Sequence, residues 1–580
     1  MNLREISVMT RSRKWELLAL FMILCIGVTL RAYRFHDWLH FEIDQTYDFN
    51  IVSGAVTNGP GNLPLLGPTA GGGRALRLGP IFYYAQYLSA LVFGNTPTGH
   101  AMVVLVSSIL TIPLVYFFSR RVLSKTVSLS VTALFATSLY TVSYARFSWS
   151  PNVLPFLVLG CFYAILRCVD ESERHRNRWF LIAALSGAAV TQIHFNAFFT
   201  VPAVIVIFLL VKRPRFPLRT WIAALILVAI VYSPMIASDI VTHGENVGFF
   251  VNKFAKSTIG GGAADSTAAL IDDAHHHITS YFFLLSGLGE INARKVVTLD
   301  ALMRHRTLSE LFVNLSAIVF FTAGAATLLI GLLRERKDKK KDVILILSLW
   351  FVVSFSYYFS LARTYRIYPR FFLLVSPLPF LLFGLILDAI RSHRPFRNSP
   401  AGLVLIVLFS GMLIGSNISG IISVFDRLQD DSTSSSPLET EDVFPNTSRI
   451  TLSQQERIAV YISSIASENG YPVYLSSVAE FEPAFWYHLS RLGIRYFSEP
   501  HDSPLYREGN YFIVLQTGKT PRANVHFIPL GKREFGSLTV HFFKPNPLFV
   551  TQERQSEDSM ETTEEMKHIL ALPTWNRLNR

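Results

Sequence analysis

Eleven apolar runs, each about 15–24 residues long, recur along this chain, and only a lipid bilayer can accommodate them together. They cover 15–33, 99–118, 127–142, 153–166, 179–193, 195–211, 221–240, 311–333, 343–360, 371–390 and 402–425. At about 1.5 Å per residue, each crosses or nearly crosses a hydrocarbon core about 30 Å thick. Half of the 580 residues are hydrophobic and 16% are charged, too greasy for a soluble enzyme of this length. The first run is no cleavable signal: it is long, lacks a small-residue cleavage site and ends in Arg31 and Arg34. The expected fold is therefore mainly α, a polytopic helical membrane protein with about eleven crossings.

Basic loops set the orientation. Arg4, Arg11, Arg13 and Lys14 precede the first run, which puts the N-terminus on the cytoplasmic side. With eleven crossings, the clusters at 120–125, 174–178, 212–219, 334–342 and 391–397 all fall on that side too. The net charge of +12 then reads as topology and anionic-lipid contact, and no nucleic-acid partner is needed to explain it. A twelfth crossing at 78–94 would invert every later loop, so that segment is expected to lie at, or dip into, the outer surface. The stretch 179–211 would run about 50 Å as one helix, so it is expected to split at Gln192–Asn196. Cys25, Cys161 and Cys168 show neither metal-ligand spacing nor a disulfide framework.

The transmembrane domain spans 1–425, with a first outer loop at 34–98 and a long outer loop at 241–310. The glycine- and proline-rich 59–73 lacks a phosphate-loop ending and reads as a flexible loop. A polar linker at 426–450 leads to a small α/β domain outside the membrane at 451–550, where helical and alternating patterns succeed each other. The tail 551–580 reads as disordered or weakly helical.

The first outer loop opens with FEIDQTYDF, so Glu42, Asp44 and Asp48 emerge just beyond the first crossing. Asp44 and Asp48 at i, i+4 share a helix face, where neighbouring carboxylates can have their proton affinities pushed apart for acid/base work. The bland reading is an interfacial loop with solvated acids and Trp38 and Tyr47 in an aromatic belt. Arg370 follows Pro369 at the outer end of a late helix, with Arg363 and Arg366 nearby. Its guanidinium suits phosphate oxygens, against the alternative of snorkelling to headgroups. His194, beside Gln192 and Asn196, either contacts substrate or is a hydrogen-bonded structural histidine. Arg146, Trp149 and Asn152 read as capping the helix entered at Pro151. His275–His277 with Asp272 and Asp273 could ligate a metal by type, but a solvated loop is favoured and no metal ligands are assigned. Asn314, Asn417 and Asn446 head short sequons.

Five segments, in order, resemble the lipid-phosphate-dependent glycosyltransferases of the C-type fold: glycosyltransferase family 39, the protein O-mannosyltransferases, and their lipid A aminoarabinose transferase relatives. They are DQTY at 44–47, RLGPIFYYAQYLSALVFG at 77–94, YARFSWSPNVLPF at 144–156, TQIHFNAF at 191–198 and YPRFFLLVSPLPF at 368–380. The resemblance covers roughly 15–390 and leaves the C-terminal domain out. It implies transfer of a sugar from a polyprenyl-phosphate carrier to an acceptor hydroxyl on the outer face of a cell membrane, with inversion. Asp44 is then the general base, ahead of Asp48 and Glu42. The implied substrate-binding set is Arg370, Arg77, Arg74, Arg366, His194, Gln192, Tyr47 and Tyr83. Gln45 stands where the family carries an acid, which leaves a divalent-metal requirement open. The acceptor can be protein, lipid or polysaccharide. A transporter of a lipid-linked saccharide and a non-catalytic envelope-assembly subunit are the competing readings.

Overall fold

The computed structural model describes residues 3–69, 76–259, 267–288, 308–362, 369–393, 395–396, 399–430, 450–478, 481–498, 505–521, 525–550 and 572–577. The first half forms α1 (Leu3–Ala32), α2 (Ile43–Asn58), α3 (Ile81–Phe93), α4 (Pro97–Ser119), α5 (Lys125–Ala136), α6 (Leu139–Tyr144), α7 (Leu154–Val169), α8 (Arg176–Ile193), α9 (Phe195–Lys212), α10 (Leu218–Val241), α11 (Glu245–Ile259) and α12 (Thr267–Ser286). The helices Leu308–Arg334, Asp338–Ala362, Pro377–Ser392 and Pro400–Gln429 complete the bundle. Among the described residues, eight helices are long and apolar enough to cross a membrane. The other three apolar runs fold differently. The run 127–142 breaks into α5 and α6, α8 opens on Arg176 and Arg178, and the run 371–390 keeps only 16 residues of α-helix after a 3-10 turn at Pro369–Val375. Outward faces are apolar, with Leu225, Ile226, Ile230 and Ile240 of α10 exposed, as lipid contact requires.

Two expectations about helix length hold. The segment 78–94 contains only the 13-residue α3, about 20 Å long and well short of a hydrocarbon core. The stretch 179–211 splits at His194, whose extended backbone separates α8 from α9.

Two buried arginines tie the C-terminal end of α1 into the bundle. Arg31, in the last turn of α1, donates to the carbonyls of Gly27 (3.1 Å) and Ala136 (2.7 Å) and to the hydroxyls of Ser108 (2.8 Å) and Thr141 (3.0 Å). It thereby takes the last carbonyl of α5, which explains the break between α5 and α6. In return, Arg146 donates to the carbonyls of Leu30 (3.4 Å), Arg31 (2.9 Å) and Tyr33 (2.8 Å) at the end of α1, and to that of Arg34 (3.3 Å), which the Trp38 N–H also binds. Its guanidinium also lies over the rings of Trp38 and Phe425. So Arg146 caps α1, where the sequence suggests a cap for the following helix; Asn152 does serve its own turn, donating to the Phe147 carbonyl at 3.0 Å.

The 241–310 region is not an open loop where it is described. Its acid/histidine stretch lies inside α12, and His277 is buried among Tyr281, Phe355, Tyr358 and Phe372. Helical spacing of Ile278, Tyr281, Phe282 and Leu285 draws that face into the bundle and overrides the polar run, so the solvated-loop reading of 271–277 is corrected. Asn417 is also buried. It accepts from the Leu139 N–H and donates to the Leu285 and Leu413 carbonyls, so it is a structural clasp.

Beyond residue 450 a five-stranded mixed sheet forms: β1 (Val473–Ser476), β2 (Tyr496–Ser498), β3 (Asn510–Gln516), β4 (Phe527–Phe535) and β5 (Leu538–Pro545), in the order β2-β1-β3-β5-β4. The β1–β2 and β1–β3 pairs are parallel; the β3–β5 and β4–β5 pairs are antiparallel. The helices Leu452–Asn469 and Glu482–Arg491 flank the sheet. This domain docks on the chain entering α2: the Leu452 and Ser453 N–H groups donate to the Leu39 and Asp37 carbonyls, and Gln455 Nε2 donates to Phe41 O at 2.7 Å. The Tyr487 ring packs on Phe41 and Phe49. Part of the expected disordered tail returns to the first outer loop. There Leu65 N donates to Pro573 O, and Trp575 Nε1 donates to Tyr84 Oη at 3.0 Å. Residues 59–69, expected as a flexible loop, are thus held on one side by 572–577.

Removing the Arg146 guanidinium takes its donors from the Leu30, Arg31 and Tyr33 carbonyls at the end of α1, while Arg34 O keeps the Trp38 N–H. Arg146→Leu is expected to destabilise the purified protein by about 2–4 kcal/mol, read as a lower thermal midpoint, and Arg146→Lys to recover little of the loss because one ammonium cannot span the four oxygens. An unchanged midpoint for Arg146→Leu contradicts the capping role.

Candidate active site

The entry to α2 is a capping box in which the Gln45 side chain accepts from the Glu42 N–H at 3.1 Å. Gln45 is buried, so the residue standing in the family's acid position serves the helix start. Glu42, the N-cap of α2, reaches toward His40, with Oε1 3.3 Å from Nδ1.

One turn apart on α2, Asp44 and Asp48 occupy different environments. Asp44 is exposed in the first turn; Asp48 is 6% exposed, on the face that carries Phe49, Val52 and Ala55 into the core. The Tyr83 hydroxyl, from α3, donates to Asp48 Oδ1 at 2.8 Å. Burial pushes Asp48 up to about 8, and the charge of Asp44 adds to the rise; the Tyr83 hydrogen bond and the Arg77 guanidinium oppose it. Tyr83 is raised well above its ordinary value, first by burial and then by the neighbouring Asp48. Burial lowers Arg77, with Tyr83 and Asp48 acting the other way. Asp44, Asp48, Tyr83 and Arg77 therefore form one electrostatically linked group.

Contacts run from this group around a closed ring. Gly79 sits against Gln192, whose Oε1 would lie 2.2 Å from a Cβ placed there, while Gln192 Nε2 donates to Val231 O at 2.7 Å. Two residues on, His194 Nδ1 accepts from the Asn196 N–H, capping α9 as a structural histidine does, and its ring meets Phe371 edge-on. The adjacent Arg370 stacks over Trp149 at 5.1 Å and Phe371 at 5.6 Å, and its charge reaches His194 and Tyr144. Trp149 contacts Phe147, Phe147 contacts His40, and His40 pairs with Glu42 at the start of α2. The ring thus joins the first outer loop, the α6–α7 turn, the α8–α9 junction and the Pro369–Val375 turn.

Of the sequence-derived site residues, Asp44, Asp48, Tyr83 and Arg77 come together, Gln192, His194 and Arg370 lie along the same ring, and Tyr47 is half-buried on α2. Arg74 and Arg366 fall outside the described residues, as does Arg363. Two residues beside the site carry roles the sequence does not assign them: Trp149, expected as a helix cap, makes no side-chain cap hydrogen bond and lies under the Arg370 guanidinium, and Gln86 links α3 to the α6–α7 turn by donating to Ser148 Oγ at 2.7 Å. A glutamine buried one turn beyond Tyr83 in an apolar segment was the available signal for the second. Among the described residues no three His, Cys, Asp or Glu side chains cluster as ligands for a metal ion.

Residues 78–237 match the family model described as dolichyl-phosphate-mannose-protein mannosyltransferase. No curated protein matches the chain by sequence. Among solved structures, ArnT from Cupriavidus metallidurans bound to undecaprenyl phosphate is similar with a TM-score of 0.52 at 12% identity, covering 93% of this chain and 99% of that one. The same protein in its apo state gives 0.51 at 13% identity, covering 94% and 100%. The C-type fold expected from the five segments over roughly 15–390 is borne out, and the likeness to ArnT extends beyond them to 93% of this chain.

The raised Asp48 has a thermodynamic signature. Between its unfolded value of 3.8 and its folded value of about 8 the folded state holds the extra proton, so stability falls as pH rises through that window. Asp48→Asn removes this dependence. Relative to the parent, the variant is expected to gain about 3 kcal/mol in stability between roughly pH 6 and pH 9. A difference in thermal midpoint that stays constant across that range contradicts a buried, neutral Asp48.

Proposed function

We propose that the chain is an integral-membrane, inverting glycosyltransferase that moves a sugar from a polyprenyl-phosphate carrier to an acceptor hydroxyl on the outer face of the membrane. The observation that carries the reading is the pairing on α2, just past the first apolar helix, of an exposed Asp44 with a buried Asp48, with Arg77 and Tyr83 against them. The mannosyltransferase match over 78–237 and the ArnT fold support the reaction class, and the undecaprenyl phosphate bound to ArnT supports the carrier.

The two carboxylates suit different tasks. Asp48, held protonated near neutral pH, is a poor proton acceptor and serves to fix Tyr83 and α2. Asp44 is the base: it takes the proton of the acceptor hydroxyl as that oxygen bonds to the anomeric carbon. The bond from that carbon to the carrier phosphate breaks on the opposite side, which inverts the centre. Charge builds on the departing phosphate, and Arg77 and Arg370 stabilise it more in the transition state than in the ground state. Trp149, beneath Arg370, holds the guanidinium in place. In this reading the N-terminus and the basic loops are cytoplasmic, and the α/β domain lies outside with the site. Protein, lipid and polysaccharide acceptors all supply the hydroxyl the chemistry needs.

Incubating the purified protein with a labelled polyprenyl-phosphate sugar and membrane extract tests the proposal. Transfer is expected, with a loss of about 10²–10⁴-fold in Asp44→Asn and a rise of about tenfold in donor KM in Arg370→Ala. A folded Asp44→Asn that keeps full activity overturns the base assignment, and carrier movement without transfer favours a transporter.

A further inference from the structure

Arg77 lies in an extended segment whose inner edge pairs with the loop just before it. Gly67 N donates to Leu78 O, Leu78 N donates to Pro68 O, and Thr69 bridges Arg77 in antiparallel register. The outer edge would leave the Arg77 N–H and C=O unpaired in a part-buried place, a cost the fold must meet from elsewhere. It is met by one side chain 169 residues away in sequence: Asn246 Oδ1 accepts from Arg77 N at 2.9 Å, and Asn246 Nδ2 donates to Arg77 O at 3.2 Å. An amide that takes both backbone groups of one residue acts as a one-residue strand partner.

Asn246 is itself held. It is 7% exposed, and its N–H donates to Asp239 Oδ1 at 3.0 Å, an oxygen that also accepts from Val247 N at 3.2 Å. The turn that delivers it from α10 to α11 carries His243 at φ 54° and Gly244 at φ 82°. A left-handed histidine costs backbone energy, and such conformations persist where surrounding contacts impose them. Here Gly244 N is bound back to Asp239 O, so Asp239 organises both the turn and the clasp.

We propose that Asn246 is a positioning residue for the donor phosphate: by gripping the Arg77 backbone it aims the guanidinium at the site that Asp48 and Tyr83 border. The inference rests on the function proposed above. It makes the turn between α10 and α11, far from α2 in sequence, part of the donor site. Asn246 touches no reacting atom in this account; its effect passes through Arg77.

A binding cycle with undecaprenyl phosphate as the probe tests this without requiring turnover. The detergent-purified parent, Asn246→Ala, Arg77→Ala and the double variant are titrated, and thermal midpoints are recorded alongside. Asn246→Ala is expected to weaken binding roughly 5–20-fold in a protein that still folds, its midpoint lowered by the two unpaired backbone groups, and the double variant to bind no worse than Arg77→Ala alone. Asn246→Asp keeps the acceptor for the Arg77 N–H and is expected to retain part of the affinity. Equal affinity of Asn246→Ala and the parent overturns the inference, as do losses that multiply in the double variant, since those mark an independent structural role. If the parent itself fails to bind the probe, the carrier reading falls and this inference with it. If the parent binds and only the Asn246 arm is flat, the carrier reading stands and this inference alone is rejected.

Discussion

The reciprocal capping of α1 by Arg146 and of α5 by Arg31 is the interaction on which the placement of α2 rests. A buried guanidinium is expensive unless its donors are saturated, and here the acceptors are mostly helix-terminal carbonyls that would otherwise be orphaned. One exchange therefore solves two problems of burial. It also fixes direction: α1 stops at Ala32, Arg34 takes a positive φ of 47°, and the chain turns beneath Trp38 into the entry of α2. The α/β domain then locks that entry from outside through Gln455 and Tyr487. The arginine exchange and this docking together fix the origin of the helix bearing both carboxylates.

Placement of α2 across a boundary gives chemically identical side chains different behaviour. Asp48 looks inward toward Tyr83 and away from water, and its proton is retained; Asp44, one turn earlier, is exposed. Separation of two acids by environment is a general route to acid/base division of labour. Arg77 and Arg370 approach from two other parts of the chain, so the charges that would meet a phosphate are independent of the helix that would carry the base. Such an arrangement lets donor binding and proton removal vary separately.

Much of this was readable from the sequence, because membrane thickness is a strict ruler. A largely apolar stretch of 33 residues, 179–211, is too long for one crossing, which points to a break within Gln192–Asn196, found at His194; the parity of the basic loops argues against a crossing at 78–94, where the helix is only 13 residues long. What escaped depended on distant partners. Arg31 looks like the flank of a first helix, and nothing nearby in sequence indicates that its acceptors lie on α4, α5 and α6. Burial of Asp48 is set by a tyrosine 35 residues on. The histidine stretch at 275–277 was misread because composition outweighed the apolar spacing that follows it. Gln45 departs from the family pattern, and its place in a capping box explains what that side chain does instead.

Where the carrier head group docks decides the function. A structure of the full chain with undecaprenyl phosphate bound would measure this most directly. The phosphate is expected within hydrogen-bond reach of the Arg77 or Arg370 guanidinium, with the Asp44 carboxylate facing the carbon a sugar would present. A head group bound away from the first outer loop, or Asp44 turned to bulk solvent beside an occupied site, contradicts the proposed function.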